Sequence, residues 1–156
     1  MNSDVNKLDF KMNTASEAEI LLHLSDCSHS FIPQLNSRVD VAKYAERIAK
    51  HSVTFEAWND NKLIGLLAAY FNDVEYFCGY ITNVSVYKEY EGKGVASRLL
   101  EQSISYAGNN KFKEILLEVN ELNLHAIKLY KKHNFATKNK QGDCDVMHLV
   151  INNSKI

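Results

Sequence analysis

A chain of 156 residues is sized for one domain with one core. Its 46% hydrophobic and 24% charged residues suit a soluble globular protein, and a formal net charge of -1 gives no global electrostatic case for a nucleic-acid partner. The longest uncharged apolar run, 63–71, is too short to span a bilayer, and "MNSDVNKLDF" holds no apolar signal core, so neither a membrane nor export is expected.

Leu8, Phe10 and Met12 alternate with polar residues and predict a first strand. Ser16 and Glu19 form a capping box ahead of "AEILLHL", a short helix. "SDCSHSFIPQLNSR" keeps neither period and reads as a loop. Val41, Tyr44, Ala45 and Ile48 recur at helical spacing. "VTFEAW", the turn "NDNK" and "LIGLLAAYF" make a hairpin. After the irregular "NDVEYFCG" comes "YITNVSVY", a strand rich in β-branched and aromatic residues. The glycine stretch "YEGKGVASRLL" then opens a helix with Val95, Leu99, Leu100 and Ile104 on one face, which "GNN" can end. "EILLEV" is a strand and "NLHAIKLYKKHNF" a helix. That helix has Asn123 as its N-cap and Asn134 at a left-handed C-terminal position. "VMHLVI" is the last strand, reached through the polar turn "KQGDCD". Strand, glycine turn, helix and strand over 80–119 make two parallel strands with a right-handed crossover. The predicted class is α/β, a mixed sheet with helices on its faces.

The glycine turn poses the functional question. A helix N-terminus exposes unpaired N–H groups and a partial positive charge, and small residues let a phosphate reach them. A tight turn with no ligand reads the same way. The dinucleotide pattern fails, since only Gly92 and Gly94 are present and the stretch is central. The P-loop pattern fails for want of G-K-[ST].

"NVSVYKEYEGKGVASRLLEQSISYA" resembles the acetyl-coenzyme A signature of the GNAT (GCN5-related N-acetyltransferase) superfamily, Gln/Arg-x-x-Gly-x-Gly/Ala after a strand with alternating valines. Gly94 and Ala96 match it, and Glu91 departs from it. The second signature, Asn-x-x-Ala-x-x-x-Tyr followed by Gly-Phe, is matched by Asn123, Ala126, Tyr130 and Phe135, with Asn134 in place of the glycine. The resemblance runs from about Val53 to the C-terminus.

It implies a single N-acetyltransferase domain over 1–156, with a mostly antiparallel sheet and a splayed parallel strand pair. Acetyl-coenzyme A would be the co-substrate, and the partner a small-molecule amine acceptor. The protein would be a monomer or homodimer in the cytoplasm. Backbone groups of Val84 and Val86 would pair with the pantetheine arm. Backbone N–H groups of Glu91, Gly92, Lys93, Gly94, Val95 and Ala96 would hold the pyrophosphate. Asn123 would contact the arm, and Tyr130 would protonate the departing thiolate. Glu91 would weaken coenzyme binding, with Lys93 and Arg98 offsetting its charge. The acceptor would be bounded by the loop at Ser28 to Arg38, the helix after it, and the loop at Asn72 to Gly79. "FIPQLNSRVDVAKYAERI" is similar to the acceptor segment of bacterial relatives found with surface-polysaccharide genes, which points to an amino sugar or its nucleotide. Small amines, antibiotics and peptide N-termini stay open.

For the general base the candidates are Asp73, Glu75, Glu56 and Tyr80 with a water chain. For each carboxylate the reading as a solvated loop or strand-face charge is the favoured one. The six histidines show no metal-ligand spacing, so no metal is expected. Cys27, Cys78 and Cys144 are far apart and form no CxxC pair, which fits a reducing compartment rather than a disulfide framework, and no cysteine nucleophile is expected. The cluster Lys128 to Lys132 reads as a solvated helix face as well as a ligand site. The rival reading is a coenzyme-binding regulatory module without turnover.

Overall fold

The computed structural model describes residues 7–28, 31, 34–37 and 39–152. The elements are β1 (Asp9–Met12), α1 (Glu17–Cys27), α2 (Val41–His51), β2 (Val53–Asn59), β3 (Lys62–Tyr70), β4 (Cys78–Val86), α3 (Val95–Asn109), β5 (Glu114–Asn120), α4 (Leu124–Lys132), β6 (Ala136–Gln141) and β7 (Cys144–Val150). Local chemistry sets the helix starts. The capping box before α1 is complete, with the Glu19 N–H donated to Ser16 Oγ and the Ser16 N–H donated to Glu19 Oε1. Asp40 caps α2 by accepting from the N–H groups of Ala42 and Lys43. The β2–β3 hairpin turns at Asp60, and α4 is followed by left-handed Asn134 (φ 73°).

Among the described residues, seven strands form one sheet in the order β1-β2-β3-β4-β5-β7-β6, antiparallel except for β4 and β5. Two irregularities involve β4. The parallel β4–β5 ladder runs only from Cys78↔Glu114 to Ile81↔Leu117, although β4 continues to Val86 and β5 to Asn120. The strands therefore diverge beyond that pair. On its other side β4 carries a bulge: Ala69 faces Ile81 and Ala68 faces Asn83, so Thr82 has no partner in β3. The extra residue shifts the alternation of all that follows.

Two apolar clusters hold the layers together. Ile20 and Leu24 of α1 and Tyr44, Ala45 and Ile48 of α2 pack on Trp58, Leu63, Leu66 and Ala68 of the sheet. Val95, Leu99 and Leu100 of α3 pack on Phe55, Ala57, Ile64, Leu67 and Leu117. Gly65 lets α3 approach closely, because a Cβ there would lie 3.0 Å from Val95 Cγ1 and 3.3 Å from Ala57 Cβ.

One element departs from the sequence reading, which has no strand at 136–141. The segment is β6, an edge strand on β7 with all six residues exposed. "ATKNKQ" buries no face, so it shows no alternation for a pattern argument to find. Its lysines suit an exposed edge.

Candidate active site

A cleft of about 450 Å³ opens where β4 leaves β5. Val84, Ser85 and Val86 of β4 form one side. The turn from Tyr90 into α3 forms a second side, and α4 contributes Asn123, Ala126, Leu129 and Tyr130. Of the residues singled out by sequence, Val84, Val86, Glu91, Gly92, Gly94, Val95, Ala96, Asn123 and Tyr130 border this one space, and Lys93 does not.

The turn is built for close approach. Gly92 and Gly94 have φ of 76° and 86°, and a Cβ on either would meet nothing within 4 Å. Left-handed backbone requires glycine there, and the missing side chains leave open space above the backbone. Gly94 is the N-cap of the 15-residue α3 and provides no side-chain cap. The first intrahelical acceptor is Gly94 O, which takes the Arg98 N–H at 3.0 Å, so the N–H groups of the first turn remain available to a ligand. The Glu91 N–H is already donated to Lys88 O at 3.2 Å, which narrows the expected donor set to Gly92 onward. The turn is anchored from below by buried Tyr90, whose hydroxyl accepts from Asn59 Nδ2 at 2.7 Å.

Across the cleft, Asn123 Oδ1 accepts from the Ala126 N–H at 3.2 Å, which caps α4 and fixes its start. Tyr130 is buried, its ring tilted against Phe135 at 5.9 Å between centroids. No other described residue hydrogen-bonds its hydroxyl. Burial, followed by the nearby Tyr80, pushes the phenol well above the ordinary tyrosine range, so it carries its proton at neutral pH.

Several bordering residues had no role assigned by the sequence reading, which left the Lys128 to Lys132 cluster open between a solvated face and a ligand site. Lys128 and Lys132 are exposed on α4 yet border the cleft. Their i,i+4 spacing places them on one face, a signal that a solvated face shares. Ser97, in the first turn of α3, shares a 3.0 Å hydrogen bond with His133 Nε2 and ties α3 to the end of α4. Arg98, expected to offset Glu91, is instead stacked on Phe10 of β1, 3.9 Å from the ring centroid, and does not border the cleft.

Behind Ser85 lies a buried polar chain. Leu63 O can only accept, so His23 Nδ1 donates to it at 2.9 Å. Nε2 then accepts from the Ser85 hydroxyl at 2.8 Å, and Asn83 Nδ2 donates to Ser85 Oγ at 3.0 Å. Burial lowers the His23 pKa to about 4 despite these partners and nearby Asp26, so the ring is neutral near pH 7.

The expected base candidates separate by environment. Glu56 is fully buried and accepts from Thr14, Ala15, Thr54 and Trp58. Burial raises its pKa, but these donors outweigh it and hold the carboxyl below the usual range. It is a fastener between β2 and the segment ahead of α1, not a base. Asp73 Oδ1 accepts from the N–H groups of Glu75 and Tyr76 and shapes the β3–β4 loop. Neither Asp73 nor Glu75 borders the cleft. Glu118, which sequence reasoning passed over, is exposed on β5 one residue beyond the last β4–β5 pair. Strand alternation turns it to the face opposite buried Leu117. Of the expected acceptor loop, residues 29, 30, 32, 33 and 38 lie outside the described residues.

Comparison with known proteins adds independent findings. Over 55 residues the chain is 38% identical to streptothricin acetyltransferase A of Bacillus subtilis, covering 35% of this chain and 32% of that protein. Over 58 residues it is 43% identical to an N-alpha-acetyltransferase of Saccharolobus solfataricus, covering 36% and 35%. These matches span about a third of each curated relative. The fold is similar to the PaiA N-acetyltransferase of Thermoplasma acidophilum solved in complex with coenzyme A, with a TM-score of 0.70 at 13% identity over 91% of this chain and 99% of that one. The model of the acetyltransferase (GNAT) family matches residues 19–135, three quarters of the chain, which therefore belongs to that family.

Proposed function

We propose that this protein moves an acetyl group from acetyl-coenzyme A directly onto a primary amine of a small molecule, with an amino sugar the first acceptor to test. The observation that carries the reading is one cleft holding a left-handed glycine turn at a helix N-terminus, a length of β4 whose β5 side is unpaired and a protonated buried tyrosine. The residues fit the coenzyme. The space above Gly92 and Gly94 suits a pyrophosphate, and Lys128 and Lys132 add positive charge. Beyond Ile81 the β4 backbone has lost β5 as a partner and suits a pantetheine arm paired like a strand. The T. acidophilum protein of similar fold was solved with coenzyme A.

The coenzyme supplies an activated acetyl thioester. The amine nitrogen bonds to the carbonyl carbon, the carbon–sulfur bond breaks, and the sulfur takes a proton from Tyr130. The excess proton on nitrogen leaves to water, and water returns a proton to Tyr130. A peptide N-terminus is the second reading, favoured by the similarity to the S. solfataricus N-alpha-acetyltransferase.

Thermal shift with acetyl-coenzyme A, followed by thiol release over a panel of amino sugars, small amines and peptides, tests the proposal. Saturation at a hundred times Kd stabilises by about 2.7 kcal/mol. No shift would overturn the reading. A shift without thiol release would make the protein a coenzyme-binding module, and release with peptides alone would select the second reading.

A further inference from the structure

A serine inside a helix can donate its hydroxyl to a carbonyl of the preceding turn, as Ser103 of α3 does to Leu100 O at 2.8 Å. Ser97, in the first turn of the same helix, does not. Its Oγ meets His133 Nε2 at 3.0 Å instead, and no other described residue bonds that hydroxyl. Ser97 borders the cleft at the N-terminus of α3. His133 does not; it lines a separate hollow between α3, the end of α4 and the end of β7. Lys132 is the one other charged residue lining that hollow, and among the described residues no carboxylate does. His133 is fixed from its own side as well. It closes α4, and its backbone N–H is donated to Tyr130 O at 3.0 Å.

A hydroxyl has one hydrogen, so the direction of this bond decides what Ser97 shows the cleft. When Nε2 accepts, the hydrogen points at His133 and only lone pairs face the cleft. When Nε2 carries a proton and donates it, Oγ is held from behind and its own hydrogen is free to point forward. Phosphate oxygens are acceptors, so an anion at the first turn of α3 selects the second arrangement. On the acetyl-transfer reading above, on which this inference rests, that anion is the coenzyme's pyrophosphate. We propose that His133 is a positioning residue for the coenzyme. With Nε2 protonated it holds Ser97 Oγ so that the serine hydrogen is donated to the pyrophosphate, beside the backbone N–H groups of the turn. Because His133 is bonded to the backbone of Tyr130, the same contact ties the phosphate cradle on α3 to the helix that carries the tyrosine.

Nitrogen NMR of the His133 imidazole, in protein saturated with acetyl-coenzyme A, reads the Nε2 proton directly, and a proton there is expected. Calorimetric titration with acetyl-coenzyme A gives the second measure. Ser97→Ala removes the donor. His133→Leu leaves the hydroxyl free to turn back onto its own helix, as Ser103 does. Each should weaken binding roughly three- to tenfold, the scale of one hydrogen bond, and the double variant no more than the weaker-binding single one. His133→Gln keeps an N–H donor near the place of Nε2 and should recover most of the loss, which a packing role would not produce. An unprotonated Nε2 in the complex, unchanged affinity in Ser97→Ala or His133→Leu, additive losses, or no recovery in His133→Gln overturns the inference and leaves the acetyl-transfer reading standing. Should His133→Leu fail to fold, the imidazole signal of wild type and the affinity of Ser97→Ala decide. A wild type that binds no acetyl-coenzyme A overturns both.

Discussion

Between about pH 7.5 and pH 5, one imidazole should account for most of the stability this protein loses. His23 is 1% exposed, and its ring is fixed as an Nδ1 donor and Nε2 acceptor. Burial lowers its pKa from 6.5 in the unfolded chain to about 4 in the fold. The unfolded chain therefore binds the proton first. The stabilising contribution is complete above pH 6.5, falls as pH drops through that value, and is fully lost by about pH 4. At pH 5 the unfolded imidazole is almost fully charged and the folded one is not, a difference of about 2 kcal/mol, rising to about 3 kcal/mol at pH 4. The carboxyl groups held below their ordinary value of 4.5, Glu56 and Glu114 among them, act at lower pH and leave this window clear. Urea unfolding followed by the fluorescence of Trp58, the single tryptophan and 5% exposed, measures the loss directly. The same titration of His23→Gln retains the other histidines and removes this one, so its curve should be flatter by about 2 kcal/mol at pH 5. The reasoning is refuted if the two proteins lose equal stability, or if wild type loses less than about 0.5 kcal/mol.

Three further outcomes follow from the same structure. Glu56→Gln places an NH2 group against donors and should cost about 2–3 kcal/mol in urea midpoint analysis, with the wild-type share of acid loss below pH 4.5 reduced. An unchanged midpoint would show that the buried carboxylate is not the fastener. Gly94→Val has room for its side chain but not for its backbone at φ 86°, so it should destabilise by about 1–3 kcal/mol and abolish most of the thermal shift with acetyl-coenzyme A. A full shift in the folded variant would move the phosphate cradle elsewhere. Tyr130→Phe should lower turnover by ~10²–10⁴ with coenzyme affinity and melting temperature nearly unchanged, which steady-state kinetics and calorimetry can separate.

Much of the architecture was legible one residue type at a time. Helix starts are local chemistry: Ser16 with Glu19, Asp40 and Asn123 each satisfy orphan N–H groups within three residues of themselves. Left-handed positions at Gly92, Gly94 and Asn134 follow from side-chain size and type, so the turn and its open space were readable in place. The strand–turn–helix–strand order implied the parallel β4–β5 pair, because a crossover connection allows no other pairing direction. What no local pattern could settle depends on residues far apart in sequence. Glu56 reads as a strand-face carboxylate until Thr14, forty-two positions away, donates to it. Arg98 looks placed to offset the charge of Glu91 until Phe10 takes its guanidinium. β6 has no buried face and thus no period, and exists because β7 offers it a ladder. The bulge at Thr82, and the Tyr44 hydroxyl donated to its carbonyl, arise only when β3, β5 and α2 meet around one peptide. Backbone conformation and capping are short-range energies written in neighbouring residues, whereas burial and hydrogen-bond partnership belong to the packed chain.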